Sequence, residues 1–363
     1  MDLQQHFDKS HDGSPQQIAA LAEKFDGRRP DPEMAAVLRV MISSDPRPFY
    51  ELPPKLARKH PTPADAVKAL LRERGESTDP EEVGDVDDRK IDGPGGDIEI
   101  RVYKPASAAS DQLLPVALYI HGGGWVIATI DTYDSSARAI CNKAHCIVVS
   151  THYRQAPENK FPAAHEDTFA AYRWVIANAR ELGGDPSRVA IVGESAGGNM
   201  AAVVCLNARD AGIQFPLHQV LVYPIAGYDT NTESYREMAE AQPLDKPAME
   251  WFFEQYLRTP ADGATPAISL DRTDLSGLPP ATIINAELDP LRSEGELLER
   301  RLRESGVDVQ RRVFDGVTHE FFGMTPVLAK AREAQQLAAE SLRGAFTSRS
   351  APAGSPARSP SGG

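Results

Sequence analysis

The chain is poor in the features that would commit it to nucleic acid, to a membrane interior or to a disulfide framework. Basic residues are outnumbered, 39 Lys+Arg against 52 Asp+Glu, giving a formal net charge of −13 over 363 residues. A protein that grips phosphate backbones needs the opposite balance, so no nucleic-acid partner is expected. Only three cysteines occur and none forms a CxxC pair, since Cys141 and Cys146 are five apart and Cys205 is remote. That argues against a disulfide scaffold or a structural zinc site and fits reduced, buried thiols. No stretch approaches the ~18 apolar residues of a spanning helix, and the start, MDLQQHFDKSHDG, lacks the basic-then-apolar order of a secretory leader. A soluble, cytoplasmic protein without an integral membrane segment is the expectation. What is present is ordinary globular usage, 41% hydrophobic and 25% charged, enough for a large core.

From Met1 to about Asp92 the sequence is polar and punctuated by proline. Two amphipathic patches, Gln16 to Phe25 and Pro32 to Ile42, predict helices lying over something apolar. Pro46 to Pro63 carries six prolines and cannot be one long helix. Residues 1–92 are therefore read as an N-terminal arm and part of a cap. After Gly95-Gly96 short apolar runs alternate with helical stretches. Asp97 to Tyr103 alternates like an edge strand, whereas Val116 to Ile120, Ile147 to Ser150, Val189 to Val192, Val220 to Tyr223 and Ala281 to Asn285 are nearly continuous β-rich runs, as in strands buried on both faces. Helices are predicted at Thr132 to Lys143, Ala163 to Arg180, Ala196 to Ala211, Glu294 to Glu304 and Pro326 to Phe346. The rhythm predicts an α/β fold with a mostly parallel central sheet flanked by helices, over residues 93–346. Residues 226–276 interrupt it with one aromatic helical piece, Lys246 to Tyr256, and are read as a cap insertion. The Ser/Pro/Ala/Gly tail, 347–363, is expected to be disordered.

Strand Val189 to Val192 runs straight into Gly193-Glu194-Ser195-Ala196-Gly197, with a small-residue helix behind it. A G-x-S-x-G at a strand-to-helix turn is a nucleophile elbow, its glycines permitting the turn that lifts the serine hydroxyl over the sheet. His121-Gly122-Gly123-Gly124 ends another strand, 74 residues before Ser195. Glycine loops can aim NH groups at a transient oxyanion because no Cβ blocks the approach, so Gly123, Gly124 and Ala196 are the candidate donors. A serine hydroxyl needs a base oriented by a carboxylate. His218 and His319 are the histidines that follow Ser195, and His218 opens a strand, which leaves His319, after the strand-like Val309 to Phe314, as the candidate base. The acid is assigned to Asp289, in the loop beyond Ala281 to Asn285, with Glu287 the nearest rival and Asp315 a distant one. His121, Gly122 and Glu194 are read as supporting the two motifs, His121 as a brace for the glycine loop.

These residues, together with Tyr153-Arg154-Gln155-Ala156-Pro157-Glu158 and Asp289-Pro290-Leu291, resemble the bacterial hormone-sensitive-lipase-like esterases, family IV of the lipolytic enzymes. The matching blocks span about residues 97 to 345. The resemblance implies an α/β-hydrolase fold with a helical cap, hydrolysis of short to medium acyl esters of small molecules without metal or other cofactor, and an assembly that in this family is often a homodimer. It supports Ser195, Asp289 and His319 as triad. The elbow departs from the usual GDSAG in having Glu194. Two alternatives stay open: an amidase, arylformamidase or peptidase using the same triad, and a non-catalytic receptor of the same fold, which the presence of His319 disfavours.

Overall fold

The computed structural model describes residues 15–44, 47–106 and 113–347. Among these, eight strands form one sheet in the order β1-β2-β4-β3-β5-β6-β7-β8. They are β1 (Asp85–Gly93), β2 (Gly96–Lys104), β3 (Leu114–Ile120), β4 (Ile147–His152), β5 (Gly184–Glu194), β6 (Gln219–Val222), β7 (Ala281–Leu288) and β8 (Val309–Thr318). From β4 across to β8 the neighbours run parallel, while β2 is antiparallel to both β1 and β4. The helices of the described residues are α1 (Pro15–Ala22), α2 (Pro32–Ser44), α3 (Pro54–Ala57), α4 (Pro63–Arg74), α5 (Asp134–Ala144), α6 (Ala163–Asn178), α7 (Ala196–Asp210), α8 (Glu233–Glu237), α9 (Lys246–Tyr256), α10 (Pro260–Gly263), α11 (Arg292–Glu304) and α12 (Ala329–Thr347). No helix among them is long and apolar enough to cross a membrane.

The continuous apolar runs are explained by two cores, one on each face of the sheet. Successive side chains of a strand point to opposite faces. Val116, Leu118 and Ile120 of β3 and Ile191 of β5 enter a core shared with α6, α7, α9 and α11. Ala117 and Tyr119 of β3 and Ala190 and Val192 of β5 enter the other, shared with α2, α4, α5 and α12. With both faces covered, neither set of positions can be polar without a partner.

One strand falls outside the expected set. β1 lies inside the segment read as an arm and pairs with β2 as a hairpin, Asp85↔Lys104 through Gly93↔Gly96. The strand near Asp97 to Tyr103, expected at an edge, is thus internal, and β1 is the edge. Its sequence DVDDRKIDG buries only Ile91, so the alternation that betrays a half-buried strand is absent. Charge along an edge also discourages further pairing. The helix α4 was likewise not anticipated. Its signal is local: Thr62 and Asp65 form a capping box, with Pro63 at the first helical position and Gly75 closing the helix at φ 70°. Residues 226–276 contain α8, α9 and α10 and no strand, with α9 on the predicted aromatic stretch. Of the tail, Thr347 is the last residue of α12 and the remainder lies outside the described residues.

A tight constraint on this architecture is where α7 meets the end of β3. A Cβ built at Gly197 would stand 2.1 Å from the carbonyl oxygen of Ile120 and 2.6 Å from that of His121. Both are backbone atoms of the strand that carries the glycine loop, so neither can yield cheaply. The Gly197→Ala protein is expected to lose about 1–3 kcal/mol of unfolding free energy, read from its denaturant midpoint against the parent.

Candidate active site

Four strand ends converge at one edge of the sheet. His121 follows β3, Ser195 follows β5, Asp289 follows β7 and His319 follows β8, all at the C-terminal ends where open α/β sheets take ligands. Ser195 stands at φ 57°, ψ −120°, a conformation disfavoured for any residue with a Cβ. The turn is enforced from below, because a Cβ at Gly193 would sit 2.1 Å from the carbonyl oxygen of Gly197. It is tied to the next strand by the Ser195 NH, which donates to Val222 O at 2.9 Å.

The three side chains assigned from the sequence form one hydrogen-bonded chain. His319 Nδ1 lies 2.8 Å from Asp289 Oδ2, and His319 Nε2 lies 2.9 Å from Ser195 Oγ. An ionised carboxylate can only accept, so in the neutral ring Nδ1 carries the proton and Nε2 accepts from the serine hydroxyl. Asp289 is fully buried, and its second oxygen accepts from the Leu291 NH at 2.9 Å. Burial works against a charged His319 ring, yet the Asp289 carboxylate and its hydrogen bond outweigh that and raise the imidazole above its usual 6.5, with Glu320 and Glu194 adding to the effect. The rivals are occupied elsewhere. Glu287 Oε2 accepts from the Gly316 NH at 2.7 Å, and His218 bonds Thr282 Oγ1 at 2.9 Å near the opposite end of the sheet.

Beside Ser195, Gly123 and Gly124 adopt φ 90° and 57°. Among the described residues their NH groups donate to no protein acceptor, and Ala196 is the first residue of α7, whose NH lacks a partner within the helix. The loop is braced rather than loose. His121 Nδ1 donates to Gly122 O at 2.9 Å and Tyr153 OH donates to the same oxygen at 2.6 Å. Since the carbonyl can only accept, His121 Nε2 is the acceptor for His152 Nδ1, 3.0 Å away. Burial, with His152 alongside, pushes the His121 ring down to about 3, which keeps it neutral. The Tyr153-Arg154 segment organises its surroundings, Arg154 bonding the buried Asp167 through backbone and guanidinium.

Glu194 plays a part that the motif alone did not reveal. Alternation along β5 sends it to the face of Ala190 and Val192, away from α7, where it is fully buried and accepts from the hydroxyls of Tyr119 and Tyr223. Burial raises its carboxyl, and the Glu320 charge adds to this; the two tyrosines pull it back, leaving it at about 7. Tyr223 in turn places its ring 4.3 Å from the His319 ring, so the elbow glutamate is fastened to the base through one aromatic residue. Tyr119 and Tyr223 lie in the predicted strands Val116 to Ile120 and Val220 to Tyr223, where no motif marks them. The available signal was parity: positions 119 and 194 share a sheet face on paired strands, with Tyr119 beside Val192.

A cavity of about 300 Å³ opens above Ser195 and His319. Its outer wall joins two remote stretches of chain. Arg58, from the proline-rich segment, donates to Val126 O at 2.8 Å and Ala156 O at 2.7 Å and pairs with Glu158. Phe49 packs on Phe252 of α9 with ring centroids 5.2 Å apart, and Tyr50 OH donates to Asp245 Oδ2 at 3.1 Å. Of the aromatic stretch of α9, Phe252 reaches the cavity, whereas Tyr256 stacks on Trp125 in the core, 4.6 Å between centroids.

Removing the Tyr223 hydroxyl tests the Glu194 anchor with its sign. Glu194 titrates near 7, so at about pH 8 it is ionised and needs both donors, while at about pH 5 it is protonated and needs them less. Tyr223→Phe should lose about 1–3 kcal/mol of stability at the higher pH and clearly less at the lower, in denaturant unfolding at both.

Comparison with known proteins agrees with this geometry. Residues 117–323 match a family model described as alpha/beta hydrolase fold. Carboxylesterase NlhH of Mycobacterium tuberculosis is 38% identical over 313 residues, covering 84% of this chain and 93% of that protein. Arylesterase of Saccharolobus solfataricus is 37% identical over 243 residues, covering 66% of this chain and 78% of its own length. Among solved structures, an alpha/beta hydrolase enzyme from the metagenome of Lake Arreo, Spain, superposes with a TM-score of 0.78 at 38% identity, covering 88% of this chain and 99% of its own. The hyperthermophilic esterase of Pyrobaculum calidifontis gives 0.75 at 39% identity, over 81% and 94%. The converging strand ends, the elbow serine and these likenesses place the chain in the bacterial hormone-sensitive-lipase-like family of α/β-hydrolases, family IV of the lipolytic esterases.

Proposed function

We propose that this carboxylic ester hydrolase works through Ser195 as nucleophile, His319 as base and Asp289 as the residue that orients the ring, on short to medium acyl esters. The observation that carries the reading is the unbroken chain from Asp289 Oδ2 through His319 to Ser195 Oγ, at 2.8 and 2.9 Å. His319 takes the Ser195 proton as Oγ attacks the ester carbonyl. The oxyanion forms where the NH groups of Gly123, Gly124 and Ala196 are available, each such donor lowering the barrier by about 3–4 kcal/mol. His319 then returns the proton to the leaving alcohol, and water, activated by the same ring, releases the acid. Asp289 stabilises the imidazolium without taking its proton. The cavity, about 300 Å³, lies at the small end of ligand sites, which supports modest acyl groups. Residues 1–92 and the 226–276 insertion act together as the cap, a reading supported by the Phe49–Phe252 and Tyr50–Asp245 contacts over the cavity. Three free, buried cysteines suit a reducing compartment and support a cytoplasmic location.

Ser195→Ala is expected to abolish hydrolysis of a short p-nitrophenyl ester while leaving the circular dichroism spectrum of the folded protein unchanged; near-normal turnover would show that another group is the nucleophile. The base must be neutral to act, and its raised pKa keeps it protonated to higher pH. The acid limb of kcat/KM should therefore have its midpoint above about 6.5. Asp289→Asn should move that midpoint down and lower kcat by on the order of 10³–10⁴, measured across a pH series.

A further inference from the structure

His319 Nε2 has an acidic neighbour besides the groups already assigned. Glu320 stands at φ 70°, in the left-handed region that glycine occupies freely and other residues occupy at a cost. Its Oε1 lies 3.9 Å from His319 Nε2 and accepts from the Tyr133 hydroxyl at 2.6 Å. Ser195, His319, Tyr133 and Glu320 all line the same cavity. Tyr133 is held against the glycine loop, since a Cβ at Gly122 would meet its hydroxyl at 2.4 Å. The carboxylate is therefore fixed by a partner on the oxyanion side of the site and by its own backbone.

At 3.9 Å the carboxylate oxygen and Nε2 do not bond each other. A water oxygen at ~2.8 Å from both would subtend about 90°, within reach of the angle between its own two O–H bonds. Nε2 of the neutral ring and the carboxylate oxygen are both acceptors, so such a water commits both hydrogens and keeps its lone pairs for an electrophile. The electrophile in question is the acyl carbon on Ser195 Oγ, and Oγ lies 2.9 Å from the same Nε2.

We propose that Glu320 positions the hydrolytic water of deacylation and thereby favours water over an alcohol as acceptor of the acyl group. The inference rests on the triad reading above. One O–H bond of the water breaks as its proton passes to Nε2, and the oxygen lone pair forms the new bond to the acyl carbon. The carbonyl π pair moves to the oxyanion. On collapse the C–Oγ bond breaks, Ser195 Oγ recovers the proton from Nε2, and the acid leaves. The second O–H remains bonded to Glu320 throughout, so the carboxylate gains and loses nothing. An alcohol has one O–H to give to Nε2, and its carbon then faces a carboxylate oxygen whose donor among the described residues is the Tyr133 hydroxyl alone.

Nucleophile partitioning separates this role from a structural one, because water and added methanol compete for the same acyl-enzyme. The ratio of methyl ester to free acid formed from p-nitrophenyl butyrate at one methanol concentration does not depend on the acylation rate or on the amount of folded protein. Glu320→Gly, which suits φ 70°, should raise that ratio about tenfold, the equivalent of one lost hydrogen bond. Glu320→Ala should move it in the same direction. Glu320→Gln, which keeps an acceptor oxygen, should return it to within about threefold of the parent. An unchanged ratio in both the Gly and Ala proteins, with Ser195 still labelled by an organophosphonate, would overturn the role of Glu320 and leave the triad standing. Failure of the parent to label would instead remove the triad reading itself.

Discussion

The imidazole of His319 has to be held between two oxygens that it does not meet along the chain, one 30 residues away and the other 124. Each contact alone is an ordinary hydrogen bond, worth little net stability in water. Together, in a buried site, they decide the tautomer of the ring, the direction of its lone pair and the charge it can carry. Every larger feature of the fold is arranged to keep that ring where it is. Parallel strands bring four strand ends to one rim, and the cores on both faces prevent those ends from sliding.

The same requirement explains the local strain. A serine at φ 57° would relax if it could, and it is prevented by backbone packed on backbone at Gly193 and Gly197 and by its NH bond to β6. Strain of about 1–3 kcal/mol is tolerable because the two cores over-determine the turn. Glu194 extends this anchoring to the far side of the sheet. An isolated carboxylate at that depth would be prohibitive, and two tyrosine hydroxyls from neighbouring strands offset its desolvation. The departure from the more usual aspartate gains a longer stem, which reaches both hydroxyls.

The outer wall of the cavity is built from parts of the chain that have no strand-helix rhythm. The proline-rich segment and the 226–276 insertion meet through Phe49, Tyr50, Asp245 and Phe252, above a pocket whose floor is the triad. The insertion is at the same time part of the core, since Met249, Phe253, Tyr256 and Ile268 are buried with the residues of β3 and α7.

Residues whose roles depend on neighbours in sequence were legible without coordinates. The elbow, the glycine loop and the strand-helix order are local patterns with local causes, and Asp289 and His319 could be singled out because few candidates occupied strand-end loops after Ser195; the structure brings both into one hydrogen-bonded chain with it. β1 was not legible, because an exposed charged edge does not need apolar alternation, and α4 was hidden behind a proline-rich stretch. The tyrosines on Glu194, the tilted contact of the Tyr223 ring with His319 and the approach of Glu320 to Nε2 could not be read in that way. They depend on which strands pair and on a single positive φ, and those are settled only when the two cores close around the sheet. The chain's own order thus decided which chemistry is carried and at which strand ends, since turn geometry and hydrogen-bonding capacity belong to residue types. Three-dimensional packing decided how each charge is balanced and how large the pocket is, since desolvation and shape belong to groups brought together from distant positions.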